Sequence, residues 1–153
     1  MLSKKKLKST SFFKPYTPEG NYNLKQTGAG CYIIKKDGKV IYVGLSRIDV
    51  KKTMYRHFQQ WNDNRTTWAK LHFTNGYERT TYVNEDRAKF SVKIIFTPDG
   101  REAGILEQLL IKKLKPRDNQ LKILLFTENQ FNLMDNKIND ATAFNYDSDY
   151  TPF

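Results

Sequence analysis

Side chains alternate on either side of Asp37-Gly38 in "GCYIIKKDGKVIYVG", residues 30–44, which predicts strands near 31–35 and 39–43 joined as a hairpin. The period then changes. From about 50 to 61, Val50, Met54, Phe58 and Trp61 share one face of a helical wheel while Lys52, Arg56 and Gln59 lie opposite, and Asp49 stands where it can cap the first turn. Alternation returns at about 77–83 ("YERTTYV") and 90–96 ("FSVKIIF"), followed by the turn signal "TPDG". A second helix is expected over about 101–114, ending before Pro116 because proline disfavours helical geometry in the residue ahead of it.

The remaining stretches are less periodic. Residues 1–29 are basic and turn-prone and read as an N-terminal arm, and 62–76 read as a polar loop with Trp68, Leu71 and Phe73 embedded. "LKILLF", residues 121–126, fits either a short strand or a short helix, and 127–153 is Asn/Asp-rich with little periodicity. Strands and helices thus mix in a central α+β body, between the arm at 1–29 and a weakly patterned C-terminal extension at 121–153.

Charge narrows the partners. The 153 residues carry a formal +10, but residues 132–153 hold four aspartates against Lys137, a net −3 that leaves +13 on the rest. A compact basic body points to a polyanion, because Lys and Arg neutralising phosphates drive sequence-independent nucleic-acid binding. No apolar run approaches the ~18 residues of a membrane span. "MLSKKKLKST" begins with positive charge but no apolar stretch follows, so secretion is not expected and the cytoplasm is the default location. The single cysteine, Cys31, excludes an intramolecular disulfide and a multi-thiolate zinc site. With only His57 and His72 besides, a catalytic metal would be oxygen-bound, which favours Mg²⁺ or Mn²⁺.

Glu107 is the most informative single position. On a wheel advancing about 100° per residue, Leu110, Leu114 and Ile111 all fall within about 60° of it, so its carboxylate leaves from the middle of the apolar arc, while Gln108, Lys112 and Lys115 lie on the other side. A carboxylate facing a core needs a cation, several hydrogen bonds or a metal. The hairpin is ambiguous. A two-residue turn leaves Tyr32 opposite Val43 with the two phenols on opposite faces, whereas a three-residue loop over residues 36–38 sets Tyr32 directly across from Tyr42.

These features together resemble the GIY-YIG nuclease superfamily. "GCY" (Gly30 to Tyr32) stands where that family has GIY, "YVG" (Tyr42 to Gly44) where it has YIG, a helix with an arginine follows, and "LEQLLIKKLKP" sets Glu107 in the place of the metal-binding glutamate. Asn119 in "PRDN" matches a family asparagine, and the resemblance covers about residues 30–120. It implies an α+β domain over 30–120, a small three-stranded antiparallel sheet flanked by helices, and a metal-dependent endonuclease acting on phosphodiester bonds, most readily DNA. Tyr32 and Tyr42 would sit at the attacked phosphate on one face, and Glu107 would hold one divalent cation. A helix cation would neutralise phosphate charge.

The family position for that cation falls on Lys52. Arg56, four residues on along the same stripe, is preferred because guanidinium offers a planar, permanently charged fork to phosphate oxygens. His57 is either an auxiliary base or a hydrogen-bonded histidine at the core edge. Arg47 is expected to clamp phosphate, and Lys112 and Lys115 to add nucleic-acid contacts. Gly30, Gly44 and Asn119 are expected to support the site structurally, Asn119 by fastening the loop after the helix. Trp61 and Trp68 are read as packing. A non-cleaving binding module or subunit, and an RNA-directed nuclease, remain alternative readings. A homodimer or a separate specificity subunit would complete recognition, and the acidic "DSDYTPF" end is a second candidate protein contact.

Overall fold

The computed structural model describes residues 6–17, 28–59, 81–119 and 124–138. The predicted hairpin is β2 (Gly30–Lys36) and β3 (Lys39–Ser46); β1 is Lys8–Ser9 and β4 is Phe90–Phe96. Among the described residues three α-helices accompany them: α1 (Val50–Tyr55), α2 (Gly100–Leu114) and α3 (Glu128–Ile138). The sheet order is β1-β4-β2-β3 with antiparallel pairing throughout. The sheet thus has four strands where three were expected. The extra one comes from the N-terminal arm, which sets Lys8 against Phe96 and Ser9 against Ile95 on the β4 edge.

Other expectations are corrected in the same way. The helix read over 50–61 stops at Tyr55, passes through a 3₁₀ turn at Arg56–Phe58, and leaves in extended geometry at Gln59 (ψ 145°). His57 and Phe58 are both buried on the face that Val50 and Met54 also present to the core. Of the strand expected at 77–83, residues 81–83 are irregular and the remainder lies outside the described residues. The loop at 62–76, both tryptophans and the acidic C-terminal end also lie outside them.

α3 was not foreseen, although its start is written in the chain. Thr127 and Gln130 form a reciprocal capping pair, the Thr127 hydroxyl accepting from Gln130 N at 3.2 Å and the Gln130 carbonyl accepting from Thr127 N at 2.8 Å. Phe131, Met134 and Ile138, spaced three and four apart, bury one face against α2.

Two apolar layers sandwich the sheet. Cys31, Ile33, Val40 and Val43 pack under α2 and α3 with Ala103, Leu106 and Leu110. Tyr32, Ile34, Ile41, Val92 and Ile94 face the other way, against Val50, Met54 and Phe58 of the α1 region. Asp49 caps α1, its carboxylate accepting from Lys52 N at 3.0 Å, and Asp99 caps α2 through Glu102 N at 2.9 Å. A buried ion pair between Glu102 and Lys137 ties α2 to α3.

Candidate active site

The hairpin resolves its register by a route neither expectation contained. The turn has two residues, with Asp37 at φ 50° and Gly38 at φ 80°, the signature of a type I′ turn, and it pairs Lys36 with Lys39. One pair later the register slips: Lys35 opposes Val40 but Ile34 opposes Tyr42, so Ile41 is the extra residue of a β-bulge. The bulge reverses the parity that the two-residue turn would impose. Tyr32 and Tyr42 therefore share a face, diagonally placed, with ring centroids 6.1 Å apart.

The residue opposite Tyr32 is Gly44. A Cβ on Gly44 would sit 2.2 Å from the Tyr32 hydroxyl oxygen, so the phenol crosses the strand where there is no side chain. It ends 2.6 Å from Nε2 of His57. Tyr32 and His57 are 2% and 9% exposed, whereas Tyr42 is half-buried, with its ring 4.7 Å from the imidazole. Gly30 has a parallel reason to be glycine: a Cβ there would meet the Ile95 carbonyl oxygen of β4 at 2.2 Å.

The loop after α2 grips β3 on both sides of Tyr42. Lys115 closes the helix in left-handed geometry (φ 47°). Asp118 N then donates to Ile41 O at 2.8 Å, and the Asn119 side chain both accepts from Val43 N and donates to Val43 O, each at 2.8 Å. The Asn119 side chain thereby ties the loop after α2 to β3.

α2 lies on the sheet face opposite the tyrosines, and Glu107 is 5% exposed at its middle. Gly100, Gly104 and Glu107 are spaced four and three apart, one stripe of the helix. Arg47, just beyond β3, lays its side chain along that stripe: a Cβ on Gly100 would meet the arginine stem at 2.6 Å, and one on Gly104 would lie 3.9 Å from the guanidinium. The guanidinium is thus one helical turn from Glu107. Arg56 and Lys52 are both exposed, on the outer side of α1 and its 3₁₀ extension. Lys112 is drawn to α3 instead, where it pairs with Glu128 at 3.4 Å and overlies Phe131, and Lys115 is exposed at the helix end.

Two residues beside the site escaped the sequence reading. Tyr82 packs its ring 6.1 Å from that of His57 and donates its hydroxyl to Asp118 at 2.7 Å. Burial, followed by the hydrogen bond to the Asp118 carboxylate, pushes the Tyr82 phenol well above the ordinary range, so it remains a donor. The Arg117 guanidinium holds Asp118 below the usual carboxylate range. Neither residue carries a local signal, since their meeting spans 36 positions of the chain.

The GIY-YIG catalytic domain model matches residues 28–122. The chain belongs to the GIY-YIG family. That match takes in both tyrosines, His57, Glu107 and Asn119, and makes the chain a GIY-YIG nuclease domain. Among solved structures it is similar to the GIY-YIG N-terminal endonuclease domain of UvrC from Thermotoga maritima, bound to its catalytic magnesium. Identity there is 26%, covering 63% of this chain and 89% of that domain with a TM-score of 0.37. No curated protein matches the chain at significance.

Among the described residues no three His, Cys, Asp or Glu side chains cluster as a metal cage. A single buried carboxylate suits Mg²⁺ or Mn²⁺, which bind through one or two carboxylates and take the rest of their shell from water and substrate phosphate. Glu107 fits that donor pattern. Among the described residues, no helix is long and apolar enough to cross a membrane.

Proposed function

We propose that this GIY-YIG protein is a divalent-cation-dependent endonuclease that hydrolyses phosphodiester bonds in DNA. The observation that carries the reading is the buried hydrogen bond between Tyr32 and His57 beside the half-buried Tyr42, in a chain of the nuclease family with a strongly basic body. A phenol paired to an imidazole can move a proton, which a purely structural aromatic cluster has no need to do.

In this reading Tyr42, the more accessible phenol, hydrogen-bonds the scissile phosphate and orients it. A water at its edge attacks phosphorus as the bond to the leaving sugar oxygen breaks. The water proton passes to the Tyr32 oxygen while the phenol proton passes to His57 Nε2. Arg56, with Lys52 beside it, neutralises charge gathering on the phosphate oxygens. Arg47 holds a neighbouring phosphate, its side chain lying along the stripe of α2 that carries Gly100, Gly104 and Glu107. Glu107 would hold the cation, which when bound polarises a phosphoryl oxygen and stabilises the leaving alkoxide.

With one such site per chain, cutting both strands calls for a second copy or two successive nicks. The test is cleavage of supercoiled plasmid, linear duplex, single strands and structured RNA with Mg²⁺ or Mn²⁺, beside Glu107→Ala and His57→Ala. Nicking of plasmid DNA that either variant reduces at least a hundredfold is the expected result. Tight DNA binding without cleavage under any condition would overturn it, and preferential cutting of RNA would move the substrate class.

A further inference from the structure

Arg117, Asp118 and Tyr82 have no part in the steps above, yet they form one hydrogen-bonded unit between His57 and the strand that carries Tyr42. His57 is the middle residue of the 3₁₀ turn after α1, and the chain turns extended at Gln59, so no further helical turn follows to take up its carbonyl. Its carbonyl is instead held by Tyr82 N at 2.7 Å and by the Thr81 hydroxyl at 3.4 Å. The Tyr82 ring lies 6.1 Å from the imidazole with only 31° between their planes, and it is backed by Phe58 and Phe90 at 6.1 and 5.2 Å.

The other end of the unit is anchored separately. Asp118 accepts from the Tyr82 hydroxyl at 2.7 Å and from Arg117 at 2.7 and 2.9 Å, and its own N–H is spent on the carbonyl of the bulged Ile41, next to Tyr42. One carboxylate therefore joins the wall behind His57 to the bulge beside Tyr42. We infer that Tyr82 and Asp118 are positioning residues: their hydrogen bond fixes the His57 imidazole in the orientation that puts Nε2 on the Tyr32 hydroxyl.

The catalytic consequence rests on the role proposed above for His57, whereas the orientation itself does not. Ångström-scale misplacement of a proton acceptor slows chemistry while leaving substrate binding alone. Tyr82→Phe removes the hydroxyl and keeps the ring, Asp118→Ala removes the acceptor, and Asp118→Asn restores an oxygen for Tyr82.

The test combines steady-state cleavage with long-range ¹H–¹⁵N imidazole spectra of the full chain. The protein has only two histidines, His57 and His72, so His57→Gln assigns both. The expected result is that Tyr82→Phe and Asp118→Ala shift the His57 resonances and spare those of His72. kcat should fall about tenfold with KM within twofold, and Asp118→Asn should recover much of both readouts. Unchanged His57 resonances in Tyr82→Phe and Asp118→Ala, with a fall only in unfolding temperature, would overturn the inference. If one variant does not fold, the spectrum of the other decides. If the wild type cleaves nothing, the proposed activity fails while the spectra still answer for the brace.

Discussion

The hydroxyl of Tyr32 reaches Nε2 of His57, 2.6 Å away, by crossing the strand above Gly44. The two halves of the family signature are thus physically dependent: the tyrosine of the first tripeptide occupies the volume that the glycine of the second leaves empty.

Gly44→Ala places a methyl 2.2 Å from the Tyr32 oxygen, a contact only movement of the phenol can relieve. Overpacking of this kind costs about 1–3 kcal/mol, measurable by urea denaturation. The larger effect should fall on cleavage, because the displaced hydroxyl leaves His57. A Gly44→Ala protein with unaltered nicking rate would show that the Tyr32–His57 bond is dispensable.

Asn119 makes two hydrogen bonds to the main chain of Val43, one residue from Tyr42. Asn119→Ala leaves both main-chain groups without that partner and should lower stability by about 1–3 kcal/mol. Hydrogen exchange should localise the change to the Val43 amide.

Glu102 and Lys137 form a buried ion pair whose side chains are 4% and 6% exposed. Removing one partner strands a charge, so Lys137→Met should cost about 3–5 kcal/mol, while replacing both, as Glu102→Leu with Lys137→Met, should cost much less. A double variant as unstable as the single one would mean that packing rather than charge dominates the junction of α2 and α3.

Asp118 has its acidity increased chiefly by Arg117. Because its folded pKa is depressed, its contribution to stability is fully present above the unfolded carboxylate value of about 3.9 and is lost as pH falls through the folded value. Unfolding free energies of wild type and Asp118→Asn should therefore differ at neutral pH and converge on acidification below about pH 4. A constant offset down to pH 2 would contradict this.

The extent to which these elements can be read from sequence follows the range of the forces involved. The hairpin, β4 and α2 with its inward Glu107 follow from side-chain periodicity and turn chemistry, which act over a few residues. The bulge at Ile41 does not, since the local sequence tolerates several registers and the choice is made by burying Ile41 and Tyr42 on the same face. β1 is two residues long and owes its existence to an edge more than 80 positions away. The truncation of α1 is likewise invisible to local patterning, because Val50, Met54, His57 and Phe58 all fit one face of a continuing helix. α3 is the exception: the Thr127 to Gln130 capping pair and the Phe131, Met134, Ile138 spacing were legible, but the surrounding asparagines and aspartates obscured them.

Leu7, Phe131, Met134 and Ile138 share one apolar layer with Ile33, Val43 and Leu110, although all four lie outside the 28–122 stretch that matches the family. Anyone transplanting this GIY-YIG domain onto a targeting protein should cut the graft well outside the signature. A cassette trimmed to the homologous span would display raw hydrocarbon on the back of α2 and arrive sticky rather than active.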